Sequence, residues 1–269
     1  MRSSWTRPPG WVLLPALLGA AVVLLPVIGM LSRLDWAAIP ELLTSESSLA
    51  ALRLSLWASA AATVLCLLLG VPLALLLAAA AANPNRFRAA GLLRSLVLLP
   101  LVLPPVVGGL ALLYTFGSQG LLSGALEFFG IRIAYTSVAV VLAMTFVSMP
   151  FLVISVETAL RGLDRHLLEA ATVDGASRTQ VLRYMVLPLL SPALISGAVL
   201  AFARSLGEFG ATLAFAGSMQ GVTRTLPLEI YLQRETDPDA AMALSLLLIM
   251  VAVLVISLAY SRSRSTWQQ

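Results

Sequence analysis

The residues placed to do chemistry in this chain are few. Arg204 and Glu208 stand four positions apart in an otherwise apolar stretch, so a helix puts them on one face, one turn apart. Charge inside an apolar segment is expensive and must face a partner or water, and the plainest reading is a structural ion pair. Ser205 and Thr212, with Gly207 and Gly210, add a small polar face that suits tight helix packing or a narrow water-accessible path. Nothing assembles into a catalytic centre. The one histidine, His166, falls in a polar connection, the one cysteine, Cys66, in an apolar run, and no Ser/His, Ser/Lys or paired-carboxylate arrangement can be built for an intramembrane hydrolase. A lone cysteine also excludes an intrachain disulfide and a Cys-rich metal site, and no metal is expected. The chain has no lysine, so the nucleotide-binding pattern Gly, four residues, Gly-Lys-Ser/Thr is impossible, and work driven by ATP must come from another subunit. A self-standing ion-coupled carrier needs charge near mid-membrane, and only Glu157, towards the end of an apolar block, comes close.

These residues must be positioned by elements that live in lipid. The chain is 59% apolar and 11% charged, with a mean hydropathy of +0.94, against about a quarter charged in soluble domains. Apolar blocks of roughly 20 residues or more recur, each long enough to cross a ~30 Å hydrocarbon core. Six spans are expected, at about 11–34, 54–81, 91–115, 136–159, 189–214 and 242–260. None alternates in the manner of a barrel strand, and unpaired backbone is not tolerated in lipid, so the fold class is all-α: a polytopic membrane protein. With a cytoplasmic N-terminus, 11 of the 17 basic residues, all arginines, fall inside and nine of the 13 acids outside, which places both termini in the cytoplasm. The arginines lie scattered at block ends rather than in one patch, so nucleic acid is not a partner. Prolines interrupt several spans, most sharply at Leu103-Pro104-Pro105, where kinks are expected. No short repeat divides the chain, and residues 1–269 read as one membrane domain.

On this topology the connection 163–188 is the largest cytoplasmic segment, and a cytoplasmic partner must mainly meet it. It reads LDRHLLEAATVDGASRTQVLRYMVLP. Two short helices are expected around Gly175, which suits a left-handed turn, with Ser177 and Gln180 spaced as a capping box for the second. Small Ala170, Ala171 and Ala176 near the bend fit insertion into a partner's groove, while an amphipathic linker resting on headgroups has the same features. The pattern Glu-Ala-Ala, three residues, Gly, nine residues, Ile, any residue, Leu-Pro marks this loop in permeases of ABC importers. Glu169, Ala170, Ala171, Gly175, Leu187 and Pro188 fall on it, with Met185 in place of the isoleucine. The chain thus resembles that family. The resemblance implies that 163–188, including Asp174, is a coupling loop docking into an ATP-binding subunit. In that case Gly175 permits the bend, the alanines close approach, and Glu169 accepts a bond from a backbone donor or arginine.

A second stretch, FARSLGEFGATLAFAGSMQGVTRTLPLEIYLQ at 202–233, resembles molybdate-importer permeases, as do residues 100–120 and 145–155; sulfate permeases share the GEFGA segment. The likeness covers roughly residues 50–260. It implies the MetI-like type I importer fold in a bacterial cytoplasmic membrane. It also implies a second permease copy, an ATP-binding subunit dimer that uses ATP and magnesium, an extracytoplasmic oxyanion-binding protein, and no cofactor in this chain. Weak hydroxyl and backbone donors suit passage of a tetrahedral dianion, so Ser205, Glu208 and Thr212 are candidates for the pathway or gate. The external segment 215–240, with Arg224 and the acids from Glu229 to Asp239, is a candidate dock for the binding protein or a solvated loop. Molybdate, tungstate and sulfate share shape and charge, and discrimination among them would rest largely with that binding protein.

Overall fold

The structure, a computed structural model, describes residues 9–81, 87–164, 171 and 173–265. Among the described residues the main helices are α1 Gly10–Leu31, α2 Ile39–Thr44, α3 Glu46–Ala81, α4 Ala89–Leu101, α5 Pro105–Phe116, α6 Ser123–Phe128, α7 Ser137–Arg161, α8 Arg178–Leu189, α9 Ser191–Leu206, α10 Gly210–Ala216, α11 Leu226–Thr236 and α12 Pro238–Ser265. Among the described residues there is no strand. Four helices, α1, α3, α7 and α12, are long and apolar enough to cross a membrane, and the bent pairs α4/α5 and α8/α9 bring the number to six.

The spans depart from the sequence expectation where proline and glycine act. The third, expected as one run over 91–115, turns by 114° between α4 and α5. Pro104 is extended (φ −54°, ψ 134°), and Pro105 opens α5 at the position where its missing N–H costs nothing. The fifth, expected over 189–214, begins at Ser191 after a 65° bend from α8, with Pro188 belonging to α8, and stops at Leu206. The chain leaves helical geometry over 207–209 before α10 resumes. The second span begins earlier than expected, at Glu46, because Ser45 caps it by accepting the Ser48 N–H, and it carries one π-helical turn at Cys66–Gly70. The segment 215–240, expected to be external, is no plain loop, since α11 fills most of its second half.

α7 is the hub, with 61% of its most apolar stretch buried; α3, α9 and α10 pack around it. The outer core joins Ala58, Ala62, Ala139, Ala143, Met144, Ala211 and Phe215. The inner core joins Cys66, Ala74, Leu77, Leu152, Val156, Val186, Leu190 and Ala201. Alanine at so many of these positions brings helix backbones close, which is how helices associate when lipid removes the hydrophobic drive. α1 stands apart: none of its residues is buried.

Candidate functional site

The two broken spans are built to meet. An added Cβ at Gly109 on α5 would lie 2.6 Å from the Ala211 carbonyl oxygen and 2.7 Å from Ala214 Cβ, and one at Gly210 on α10 would lie 2.9 Å from Pro105 Cβ. Only hydrogen at these positions lets the half-helices touch backbone to backbone. The Leu-Pro-Pro bend and the break at 207–209 are therefore parts of one assembly.

Glu208 holds that break. Its side chain is 1% exposed, and its Oε2 lies 2.6 Å from Nη1 of Arg204 on the last turn of α9. Oε1 accepts the Ala211 N–H at 2.8 Å, satisfying a donor in the first turn of α10. The ion pair read from the spacing of Arg204 and Glu208 is present, and the carboxylate also serves as a cap across the break. Ser205 donates to the Ala201 carbonyl at 2.7 Å, which makes Ser148 on α7 the donor in the 2.7 Å Ser148–Ser205 contact. This buried pair ties α9 to the hub. Thr212 differs from both: its Oγ1 is fully buried and, among the described residues, accepts from and donates to nothing.

Above this assembly, Arg224 reaches Glu229 Oε2 at 3.3 Å and also donates to Ser218, while Gln233 donates to Glu229 Oε1 at 2.8 Å. Glu229, grouped by sequence with exposed acids of a docking loop, is 1% exposed and bonded inside the chain, because α11 turns it inward against α3. Phe209, from the break, packs on Tyr231 of α11 with ring centroids 5.1 Å apart.

At the opposite end lies the 163–188 connection. Gly175 has φ +87°, the left-handed turn its type suggests, and Ser177 and Gln180 form the expected capping box with both reciprocal bonds made. The Ala176 N–H donates to the Ala171 carbonyl at 3.0 Å across the bend. Val181, Val186 and Leu190 are buried in the inner core, with Ala171, Ala176 and Met185 packed at its margin, so the loop is seated on the spans and not free of them. Leu187 and Pro188 lie in the last turn of α8; Asp174 and Gly175 are exposed beside a hollow of about 340 Å³ that Gln180, Tyr184 and Met185 also line. Glu169 and Ala170 lie outside the described residues, as does His166.

One cluster escaped sequence reasoning. Glu157 on α7, 2% exposed, places Oε1 2.6 Å from Arg161 Nη2 and Oε2 3.0 Å from Nε of Arg94 on α4. The Arg161 contact is an aligned hydrogen bond. The Arg94 contact is close in distance but not in line, leaving both its atoms without a directional partner. An acid in an apolar helix with an arginine four residues on was the only signal in the sequence; nothing there pointed to Arg94.

With this geometry in hand, known proteins give context. The family described as binding-protein-dependent transport system inner membrane component matches residues 70–265. The molybdenum transport system permease protein ModB of Mycobacterium tuberculosis is 59% identical over 236 residues, 88% of each chain. The sulfate transport system permease protein CysT of Salmonella typhimurium is 37% identical over 82% of this chain and 79% of its own. A chain of the bacterial ABC transporter that imports the acidic polysaccharide alginate superposes with a TM-score of 0.70 over 95% of this chain and 96% of that one, at 22% identity, a likeness of fold.

Proposed function

This chain belongs to the family of binding-protein-dependent transport system inner membrane components, and from that premise we propose that it is the permease through which an ATP-driven importer passes molybdate. It is a multi-pass, non-catalytic inner-membrane subunit. Such a permease works with an ATP-hydrolysing subunit and an extracytoplasmic binding protein, and ATP and magnesium are used by the former. The observation that carries the molybdenum reading is the 59% identity to a molybdenum permease, against 37% to a sulfate permease over similar coverage.

The finer assignments follow from what each part can do. The 163–188 connection is the coupling loop: it leaves α7 and returns through α8 into the inner core, so a push on its tip is delivered to the hub. Gly175 gives the tip its turn, Asp174 flanks it, and Ala171, with Glu169 and Ala170 before it, lies on the approach. Leu187 and Pro188 pass the displacement to the 65° bend before α9. At the outer end, α5 and α10 move as one body because Gly109 and Gly210 leave no gap between them. Glu208 fixes the break and Ser205 anchors α9, so both act in the gate by positioning. Of the gate residues Ser205, Glu208 and Thr212, it is Thr212 whose side chain has bonding capacity left for a passing anion. Two copies of the chain form the conduit, and both termini face the cytoplasm.

Proteoliposomes containing the permease, its ATP-binding subunit and its binding protein test this reading. ATP-dependent uptake of molybdate, well above that of sulfate, is expected; tungstate, of the same shape and charge, competes. Uptake of sulfate in preference to molybdate would reassign the cargo, and uptake that ignores ATP would remove the importer reading altogether.

A further inference from the structure

The Glu157 cluster has no part in the assignments above, yet it joins the two cytoplasmic-side elements that feed the two broken spans. α7 leads from Glu157 and Arg161 directly into the 163–188 loop, whereas α4 leads from Arg94 through the 114° bend into α5 and so to α10. The two partners of Glu157 are unequal. Arg161 sits on the same helix, four residues on, and holds Oε1 by an aligned 2.6 Å hydrogen bond, so it travels with the carboxylate whatever α7 does. Arg94 comes from another helix, with 42% of its side chain exposed, and touches Oε2 at 3.0 Å by charge without in-line alignment. When it leaves, Glu157 keeps a counter-charge and Arg94 already reaches out of the core, so neither ion is stranded. That removes most of the penalty that makes a buried ion pair costly to break. Val97, one turn beyond Arg94, packs at the margin of the inner core and would follow the same motion.

We propose that the Arg94–Glu157 contact is a releasable latch between the ATPase-facing loop and the outer gate. It is closed in the arrangement described here and opened when the loop displaces the inner end of α7 relative to α4. The inference rests on the importer reading and names Arg94 and Glu157 as positioning residues for coupling. The physical requirement is an element with two arrangements that both ends bias, and the exchangeable contact supplies it.

The test compares wild type with Arg94→Gln, Arg94→Lys, Glu157→Gln and the Arg94→Gln/Glu157→Gln double variant. Each is purified as the whole complex and reconstituted with binding protein, and assembly, basal ATP hydrolysis and molybdate transported per ATP are measured. Arg94→Gln should assemble and hydrolyse ATP at the basal wild-type rate while transport per ATP falls about two- to thirtyfold, the range by which residues remote from both sites change coupling. Arg94→Lys should recover most of the loss, because the contact is one of charge, and Arg94→Gln should add nothing in the Glu157→Gln background. Wild-type transport per ATP in Arg94→Gln would overturn the latch. So would loss of assembly in that variant, which would make the contact mere scaffolding, failure of lysine to rescue, or additive losses in the double variant. A wild-type complex without molybdate-driven transport would instead count against the importer reading, so the two failures are distinguishable.

Discussion

Gly109→Ala probes the joint on which the outer assembly depends. The new Cβ would stand 2.6 Å from the Ala211 oxygen, 2.7 Å from Ala214 Cβ and 2.9 Å from Ala211 Cα. Carbon atoms rest at roughly 3.5–4.0 Å, so α5 and α10 must part by about 1 Å. None of the three atoms is the end of a flexible side chain, so no rotamer change relieves the clash. Overpacking of this kind costs about 1–3 kcal/mol, and rigid backbone puts this site at the upper end, near 3 kcal/mol. Parting the helices by that much also forfeits a quarter to a half of each contact well along the rest of the interface. The substitution gains up to about 1 kcal/mol in helix propensity, which would mask part of the loss if measured alone. Gly91→Ala on α4 supplies the reference: it makes the same chemical change with nothing within 4 Å of the added carbon. Reversible unfolding in mixed micelles, titrated with dodecyl sulfate, should place Gly109→Ala about 2–4 kcal/mol below Gly91→Ala. Equal stability of the two would mean that α5 and α10 do not touch backbone to backbone, and the single-body gate would fall with that contact.

Glu208→Gln should destabilise by about 2–3 kcal/mol in the same titration, less than the ~3–5 of a fully buried pair because Arg204 is 29% exposed. A Glu208→Gln variant as stable as wild type would refute its role across the break. The serine pair predicts an asymmetry: Ser148→Ala removes one bond and costs about 1 kcal/mol, whereas Ser205→Ala leaves the buried Ser148 hydroxyl without its acceptor and costs about 1–3 kcal/mol. Equal costs would contradict the donor assignment. Thr212→Val removes a hydroxyl that bonds to nothing among the described residues, so stability should hold within about 0.5 kcal/mol while molybdate uptake falls. Unchanged uptake would take Thr212 out of the pathway.

Much of this was legible because lipid imposes simple rules. Helical spans of about 20 apolar residues follow from hydropathy alone, and the Ser177–Gln180 box and the Gly175 turn follow from local chemistry that needs no tertiary information. The prolines at 104 and 105 announced a kink, but its 114° size depends on what α5 packs against, and α10 is a hundred residues away in sequence to within a few. Hydropathy runs through the break at 207–209 because Gly207, Phe209 and Gly210 are compatible with an apolar helix; only the inward turn of Glu208 makes the interruption visible. Glu229 was misjudged for the opposite reason. Acids in a polar segment look exposed, and its burial requires Arg224, Gln233 and α11 together. Arg94 looked like one more arginine at the end of a span, a topology signal, until the fold set it against Glu157.

The central claim is that the 163–188 loop converts ATP hydrolysis into passage of an oxyanion. It is tested most directly by ATP hydrolysis in the lipid-reconstituted complex, with and without molybdate-loaded binding protein, for wild type, Glu169→Ala and Gly175→Val. A β-branched side chain at φ +87° cannot keep the turn, so Gly175→Val deforms the loop tip and leaves the spans untouched. The account predicts strong stimulation of the wild type by loaded binding protein, weak stimulation by sulfate, and loss of stimulation in both variants with the complex still assembled. Stimulation that survives both substitutions would contradict it.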